Sequence, residues 1–271
     1  MTFFSTIDIN VRRRGGVNLV RNPQALHAAV MSSFPPGTVK DSDIFAAQET
    51  EVAFASIDAE TDISRGEAKE HDSLTRVLWR LDNDGDVYRL YVVSPIEPDF
   101  THIVEQAGWK GQEWRSTSYK TFLSMLEVGQ TYGFRLVANT VKRNPAGNGP
   151  RKTGKIIPYI IPPEQLEWLF KRMEANGFRI VYDGDNPLVT VAKNRNLIFN
   201  KKKPEAVSTH TGEEGKKEKK TRGRKVTIRQ AQFEGVLEVT DVHALKNALI
   251  TGIGRGKAYG CGLLTLRKIG M

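Results

Sequence analysis

The last part of the chain contains a glycine-rich segment whose spacing suggests contact with phosphate groups. Between Ile250 and Leu266 the sequence ITGIGRGKAYGCGLLTL has glycine at 252, 254, 256, 260 and 262. Closely spaced glycines allow backbone N–H groups to approach a phosphate, and they also allow left-handed backbone that other residues avoid. A nucleotide cofactor and the backbone of a nucleic acid are the two obvious sources of such a phosphate.

The order of elements around this glycine segment argues against a bound nucleotide cofactor. A dinucleotide fingerprint places its glycines after a strand and before a helix, so that the helix N-terminus faces the pyrophosphate. Here a predicted helix, DVHALKNALITG, precedes the glycines, and a strand, GLLTLRKI, follows them. The Lys-Ser/Thr pair of a P-loop is also missing. We therefore expect no cofactor, and we expect the segment to lie against the phosphates of another chain or to pack between domains.

Histidine supplies the second candidate chemistry, because it exchanges a proton near neutral pH. Of the five histidines, His71 and His210 fall in polar low-complexity segments. His102 and His243 lie at or near the starts of predicted helices, where we expect structural roles. His27 lies on the first predicted helix, and its side chain could serve either the core or a site.

The composition favours a polyanionic partner. The 271-residue chain carries a formal charge of +9, and clustered Lys and Arg gain affinity by releasing counterions from phosphates; improved solubility alone is the alternative. With Cys261 as its single cysteine, the chain can form neither an internal disulfide nor a thiolate zinc cluster. We expect this thiol to be inert, and we expect no metal to be bound. The N-terminal sequence MTFFSTIDINVRRR has too short an apolar run for a signal peptide or an anchor. We expect a cytoplasmic protein without membrane contact.

Hydrophobic periodicity predicts two α+β halves with the same order of elements. The first has a strand at Phe3–Val11, a helix at 22–34, two strands joined by the turn NDGD, a helix THIVEQAG and a strand near 119–126. This order is typical of the ferredoxin-like fold, and it starts again after Gly129. We predict two tandem ferredoxin-like (RRM-like) domains at 1–128 and 129–271, with an acidic insertion at about 39–73 and a basic insertion at about 201–225.

Three stretches of the sequence resemble the CasE family of CRISPR-associated endoribonucleases. They are FEGVLEVTDVHALKNALITGIGRGKAYGCGLLTL at 233–266, YGFRLVANTVKR at 132–143 and NPQALHAAV at 22–30. The glycine pattern is the most specific of these elements. The resemblance spans essentially the whole chain apart from the two insertions.

This resemblance implies a fold and an activity. CasE proteins are the repeat-processing subunits of type I-E Cascade, so it implies tandem ferredoxin-like domains and a stem-loop of precursor CRISPR RNA as substrate. It implies metal-independent cleavage, in which the RNA 2′-hydroxyl attacks the adjacent phosphate and leaves a 2′,3′-cyclic phosphate and a 5′-hydroxyl. It also implies that the enzyme stays on its product hairpin, the crRNA, with the other Cascade subunits.

The resemblance further implies the residues of the site. His27 matches the catalytic histidine of the family, and histidine can supply the proton transfers of this reaction. Many family members have a tyrosine three residues earlier, where this chain has Gln24. Glutamine can hydrogen-bond the 2′-hydroxyl or the phosphate, but it cannot donate a phenolic proton or act as a base. Lys203 is a candidate to offset charge in the transition state, and Ser32 and Ser33 are candidates for positioning.

An A-form stem is recognised mainly through its shape and its backbone, so we expect scattered cations to hold the RNA. Lys201–Lys203 match a family position that enters the groove around the stem. The predicted RNA-binding residues are Arg12, Arg13, Lys142, Arg143, Lys152, Lys155, Lys201, Lys202, Arg255 and Lys257. The alternative to an active endoribonuclease is a catalytically weak or inactive Cascade subunit that binds the hairpin, in which Gln24 marks the lost activity.

Overall fold

The computed structural model describes residues 1–39, 76–85, 87–143, 156–201 and 224–269. Most of the predicted acidic insertion at 39–73 and of the basic insertion at 201–225 therefore lies outside the described residues. The described chain forms two larger antiparallel sheets, one in each half, together with helices that pack on them.

The first half has a four-stranded sheet in the order β2-β3-β1-β4, in which every pair is antiparallel. Helices α1 and α2 lie between β1 and β2, and α3 lies between β3 and β4, which is the ferredoxin-like arrangement. The strands are β1 (Phe3–Ile9), β2 (Leu78–Asp84), β3 (Val87–Ser94) and β4 (Arg115–Ser118). The helices are α1 (Arg14–Arg21), α2 (Pro23–Met31), α3 (Thr101–Ala107) and α4 (Tyr119–Ser124).

The second half repeats this topology in the order β11-β12-β5-β13, and β8 pairs with the far end of β12. The sheet strands are β5 (Thr131–Asn139), β8 (Phe178–Ile180), β11 (Val189–Lys201), β12 (Arg224–Val239) and β13 (Leu264–Lys268). Two short hairpins pair β6 (Val141–Arg143) with β7 (Ile156–Pro158) and β9 (Tyr182–Asp183) with β10 (Asn186–Pro187). The helices are α5 (Pro162–Met173) and α6 (Val242–Thr251), with 3-10 turns at Glu174–Asn176 and Lys257–Tyr259.

The predicted α+β fold with tandem ferredoxin-like halves is confirmed by these two strand orders. The exact boundary at 128 and 129 stays a prediction, although β5 begins close to it, at Thr131.

Two local predictions were wrong. The first strand, which was predicted to reach Val11, ends at Ile9, and helix α1, which was not predicted, begins at Arg14. Glycine disfavours helices, but α1 needs a glycine at Gly16, because a Cβ there would collide with the carbonyl of Asn10.

The region near 119–126, predicted as a strand, begins with helix α4, and the edge strand β4 precedes it. The buried residues Tyr119 and Leu123 are four positions apart, which is a helical spacing. The strand that completes the sheet is the polar segment Arg115–Ser118, which pairs with β1 along Phe3–Thr6.

Helix α2 begins as its sequence predicts. The Asn22 side chain accepts hydrogen bonds from the backbone N–H groups of Gln24 and Ala25, and Pro23 occupies the first helical position. Leu26 and Val30 are buried in the core of the first half. This packing fixes the side of the helix on which His27 lies.

The two halves are joined through one face of β2. Arg80 is 2% exposed and forms a two-bond ion pair with Asp82, at 2.7 and 2.9 Å. Its guanidinium also donates to the backbone oxygens of Arg135 and Leu263, both at 3.0 Å, and to the hydroxyl of Thr265 at 2.9 Å. These acceptors belong to β5, to the end of the glycine segment and to β13. A buried charge is tolerated because its donors are satisfied across the contact.

Candidate active site

His27 is a buried side chain, 5% exposed, held against a tryptophan of β2. The indole Nε1 of Trp79 donates to His27 Nδ1 at 3.3 Å, and the two ring planes are inclined by 27° with their centroids 6.4 Å apart. An indole N–H can only donate, so Nδ1 must be the acceptor. We therefore assign the proton of the neutral imidazole to Nε2.

Helix α2 lies where the two halves meet. It packs against the 3-10 turn Lys257–Tyr259 of the glycine segment and against β11. A small cavity of about 30 Å³, with room for about one water molecule, lies between these elements. The cavity is lined by Leu19, Val20, Pro23, Leu26, Trp79, Leu81, Val137, Arg195, Leu197, Gln230, Tyr259 and Gly260.

The glycine segment packs tightly against the first half. Gly260 has a φ of +73°, and a Cβ there would lie 2.7 Å from Cζ3 of Trp79, the tryptophan that holds His27. The N–H groups of Gly260, Cys261 and Gly262 donate to backbone carbonyls of Lys257, Gly256 and Val137. These N–H groups are therefore used inside the protein. Close packing between the halves is the alternative that the structure realises, and contact with RNA phosphates stays a prediction.

Arg195 of β11 is a cationic side chain of this cleft that the sequence analysis did not identify. Its Nε donates to Oε1 of Gln230 at 3.0 Å, and the two residues are direct partners in the register of β11 and β12. Gln230 is 3% exposed, and its Nε2 donates to the carbonyl of Tyr259 at 3.0 Å and to Sγ of Cys261 at 3.4 Å. The amide of Gln230 thus ties Arg195 to the glycine segment.

The remaining predicted catalytic residues are only partly described. Gln24 is half-buried on α2, one turn before His27, and its backbone N–H is used by the Asn22 cap. Ser33 is buried and donates its hydroxyl to the carbonyl of Ala29, whereas Ser32 is exposed at the helix end. Lys203 lies outside the described residues. Its predicted role stays a prediction.

The predicted RNA-binding residues of the first half lie at the start of α1. Arg12 is exposed. The guanidinium of Arg13 donates to the carbonyls of Val104 and Gly108, at 3.2 and 3.0 Å, and to that of Glu105. It therefore caps the C-terminal end of α3, which gives Arg13 a structural use beside the predicted one.

Three predicted RNA-binding residues of the second half lie close to the end of β5. Arg255 is exposed, and its backbone forms a bridge with Asn139, the last residue of that strand. Lys142 places its ammonium 4.9 Å from the ring centre of Tyr159, and Arg143 is exposed beside it on β6. Lys257 is half-buried in the 3-10 turn that packs on α2. Lys152, Lys155 and Lys202 lie outside the described residues, and only the backbone of Lys201 is described, at the end of β11.

The surroundings of His102 and Cys261 are compatible with the roles expected for them, and those of the other histidines do not test the expectation. His102 contacts the carbonyl of Ala29 through Nε2 at 2.9 Å and so joins α3 to α2. His243 is exposed at the start of α6. Complete burial, only partly offset by the Gln230 amide, raises the pKa of Cys261 to about 12, which disfavours a reactive thiolate. His71 and His210 lie outside the described residues.

The described ranges contain neither a cluster of metal ligands nor a helix that could span a membrane. Among these residues no group of three or more His, Cys, Asp and Glu side chains is arranged to hold a metal ion. No helix of the described chain is both long and apolar enough to cross a membrane.

Sequence reasoning could not find Trp79, Arg195 and Gln230 for a common reason. Trp79 reads as an ordinary apolar residue of the strand TRVLWRLD, and Arg195 as one cation of the polar stretch AKNRN. Only the pairing of β11 with β12 places Arg195 opposite Gln230, 35 positions away in the chain. The signal that could have helped is the alternation of β12, which places the polar Gln230 on its buried face.

Known proteins resemble this chain over most of its length. The family described as CRISPR associated protein matches residues 2–268. The CRISPR-associated endoribonuclease Cse3 of Thermus thermophilus is 32% identical over 193 residues, which cover 70% of this chain and 79% of that protein. The CRISPR system Cascade subunit CasE of Escherichia coli is 28% identical over 225 residues, 76% of this chain and 96% of that protein.

Solved structures share the fold. A structure of the endoribonuclease Cse3 bound to a 19-nucleotide RNA superposes with a TM-score of 0.64 at 23% identity and covers 98% of both chains. Cas6e of Escherichia coli superposes with a TM-score of 0.52 at 20% identity, covering 99% of this chain and 100% of that one. At such identities the likeness establishes the fold. The shared fold and the sequence matches together show that this chain belongs to the CRISPR-associated protein family and is of the CasE/Cse3 type.

Proposed function

We propose that this protein is an endoribonuclease that binds the stem-loop of CRISPR repeat RNA, cleaves the precursor and stays on the crRNA as a subunit of Cascade. The names of its relatives, endoribonuclease Cse3 and Cascade subunit CasE, support this assignment. The observation that carries it is the buried His27 at the junction of the two halves, in a cleft that also holds Arg195. We expect it to act in the cytoplasm.

The proposed chemistry needs proton transfer and no metal. The RNA 2′-hydroxyl loses its proton and attacks the adjacent phosphorus, and the bond to the 5′-oxygen breaks as that oxygen gains a proton. The products are a 2′,3′-cyclic phosphate and a 5′-hydroxyl. His27 takes part as a general base or a general acid, a role that contributes typically about 10²–10⁴ in rate.

The contact with Trp79 constrains how His27 can act. In the arrangement described above, Nδ1 accepts the indole N–H and Nε2 holds the proton. The only lone pair of this neutral ring is therefore occupied, and a second proton on Nδ1 would face the indole N–H. His27 must leave this contact to act as a base or as an acid. We propose that RNA binding rearranges the ring and that the Trp79 bond belongs to the RNA-free state.

The predicted cations give a path for the RNA. Arg255, Lys142 and Arg143 lie near the end of β5, and Lys257 lies in the turn that packs on α2. They would hold phosphates of the stem on the way to His27. Arg12 would extend this surface from the segment before α1, and Lys152, Lys155 and Lys201–Lys203 would add further positive charge.

Gln24 favours a second candidate function. It occupies the position at which many relatives are expected to have tyrosine, and its amide offers no ionisable proton. A protein with only His27 for proton transfer could be a slow enzyme or a non-catalytic subunit that holds the hairpin. Both candidates share the RNA, so only a cleavage assay separates them.

The test is incubation of the purified protein with a hairpin repeat RNA in EDTA, followed by analysis of the product ends. We expect cleavage to persist and to leave a 2′,3′-cyclic phosphate and a 5′-hydroxyl. A 2′-deoxy nucleotide before the cut should abolish cleavage and leave binding intact. Cleavage that needs a divalent ion would contradict the mechanism, and tight binding without cleavage would favour the second candidate.

A further inference from the structure

Arg195 is one of the strand arginines that have no carboxylate partner within the described residues. Arg80 and Arg135 contact Asp82, Arg89 contacts Asp8, and Arg179 contacts Glu238. Arg195, in contrast, donates through Nε to the neutral amide of Gln230. Among the described residues, no hydrogen bond from its Nη1 and Nη2 groups is found. Its charge and its two outer nitrogens are therefore available to an anion.

The position of this guanidinium is set by a buried side chain. Gln230 is 3% exposed and uses both ends of its amide, because Oε1 accepts from Arg195 while Nε2 donates to the carbonyl of Tyr259. A surface arginine that no such hydrogen bond holds samples many rotamers, and fixing one of them costs entropy when a ligand binds. The hydrogen bond from Arg195 to Gln230 acts as a clamp, because it orients the planar guanidinium before any ligand arrives.

The cavity connects Arg195 to the candidate catalytic helix. Arg195 lines it together with Pro23 and Leu26 of α2 and with Trp79, whose indole contacts His27. Arg195 thus borders the same cavity as the tryptophan that holds His27. In the proposed complex with RNA, one phosphate group is contacted from one side by the guanidinium and from the other by the histidine.

We propose that Arg195, clamped by Gln230, binds the phosphate at the cleavage position and stabilises the negative charge that develops on it. This inference rests on the function proposed above and adds a residue to it. During attack by the 2′-oxygen the phosphate becomes five-coordinate and gains negative charge on its non-bridging oxygens. A guanidinium presents two parallel N–H groups to such oxygens. Arg195 transfers no proton, because its side chain stays protonated.

The test compares Arg195→Ala with Arg179→Ala, which removes the same charge from β8 at the far end of β12. Both arginines are exposed, so both variants should fold, and their melting temperatures check this. Single-turnover cleavage of the hairpin should fall about 10²–10³-fold for Arg195→Ala, the usual loss when one donor to a developing charge is removed. It should change less than twofold for Arg179→Ala. Arg195→Lys should recover part of the rate, and millimolar guanidinium ion should recover part of it for Arg195→Ala.

Gln230→Leu tests the clamp. It should slow cleavage when Arg195 is present and have little further effect in the double variant with Arg195→Ala, because the two residues act as one unit. Equal slowing by Gln230→Leu in both backgrounds would refute the clamp.

A binding measurement keeps this inference separate from the cleavage activity. Single methylphosphonate groups placed along a 2′-deoxy hairpin neutralise one phosphate at a time. At the position that Arg195 contacts, neutralisation should weaken binding of the wild-type protein but not of Arg195→Ala. A wild-type protein that does not cleave would refute the proposed function, while this readout would still identify the contacted phosphate. Unchanged cleavage by Arg195→Ala, or the absence of any such position, would overturn the role of Arg195.

Discussion

The two faces of β2 show how one strand can serve both a rigid junction and a candidate active site. On one face Leu78 enters the core of the second half, and Arg80 with Asp82 forms the buried ion pair that reaches β5 and β13. On the other face Trp79 and Leu81 pack in the first half, where Trp79 contacts His27. Successive side chains of a strand point to opposite faces, so these two environments lie a few ångströms apart.

The difference lies in what an exchange of hydrogen-bond partners would cost on each face. Arg80 donates to four different residues, and Asp82 accepts from two arginines, so exchange of partners on this face would leave a buried charge uncompensated. The indole of Trp79 donates one hydrogen bond of 3.3 Å to the ring of His27, which changes its protonation in the mechanism that we propose. We infer that the first face fixes the two halves relative to one another, whereas the second face is left able to rearrange.

The largest effect on stability is expected from Arg80→Ala. Removing one member of a buried ion pair costs about 3–5 kcal/mol, because the remaining charge stays buried. The matched control is Arg89→Ala, which breaks the exposed pair with Asp8 and should cost at most about 1 kcal/mol. Urea unfolding of the wild type, Arg80→Ala and Arg89→Ala measures both losses in the free energy of unfolding. Equal losses for the two variants would show that the junction face is not the rigid one.

A smaller loss of stability is expected from Gly260→Ala, because Gly260 packs against Trp79 on the second face of β2. Left-handed backbone costs a residue with a Cβ about 1–2 kcal/mol, and the overlap with Trp79 should add about 1–3 kcal/mol. Gly129→Ala is the control, since Gly129 has a φ of +86° and a Cβ added there would meet no atom within 4 Å. Gly260→Ala should also slow hairpin cleavage, because it displaces the tryptophan beside His27. Cleavage at the rate of Gly129→Ala would separate the glycine segment from the site.

The smallest expected effect is the loss of stability at low pH that comes from Asp82. Burial alone would raise the pKa of Asp82, but its hydrogen bonds and ion pairs with Arg80 and Arg135 outweigh burial and hold the pKa below the usual 3.8. The contribution of this carboxylate to stability is therefore fully present above about pH 4–5. It is lost as the pH falls below 3.8 through the lowered pKa. Asp82→Asn should be less stable than the wild type at pH 7, and it should lose less stability between about pH 5 and 2. Urea unfolding across this pH range measures both differences. An equal loss in the two proteins would contradict the lowered pKa of Asp82.

Much of the fold was predictable because local signals and tertiary structure agreed. Asn22 and Pro23 mark the start of α2 by capping chemistry, and the spacing of Leu26 and Val30 gives its buried face. The repeated order of strands and helices gave the two halves. Helix α1 was missed because Gly16, which reads as a helix breaker, is required there by the close approach of Asn10.

The site was predictable only in part. His27 came from a resemblance to a family, since a lone histidine on a helix carries no signal of its own. Arg195 and Gln230 could not be paired without the register of β11 and β12, which join across the basic insertion. The glycine segment was recognised as a place of close approach, but its neighbour Trp79 lies in the other half of the chain. Contacts of this kind depend on how the halves dock, and no local pattern encodes them.

The central claim is that His27, on the adaptable face of the junction, performs proton transfer on a CRISPR repeat hairpin. The most direct test is the single-turnover cleavage rate in EDTA for the wild type, His27→Ala and the exposed control His243→Ala. We predict that His27→Ala cleaves about 10²-fold or more slowly, with hairpin affinity and melting temperature little changed, and that His243→Ala matches the wild type. A His27→Ala protein that cleaves at the wild-type rate would contradict the claim.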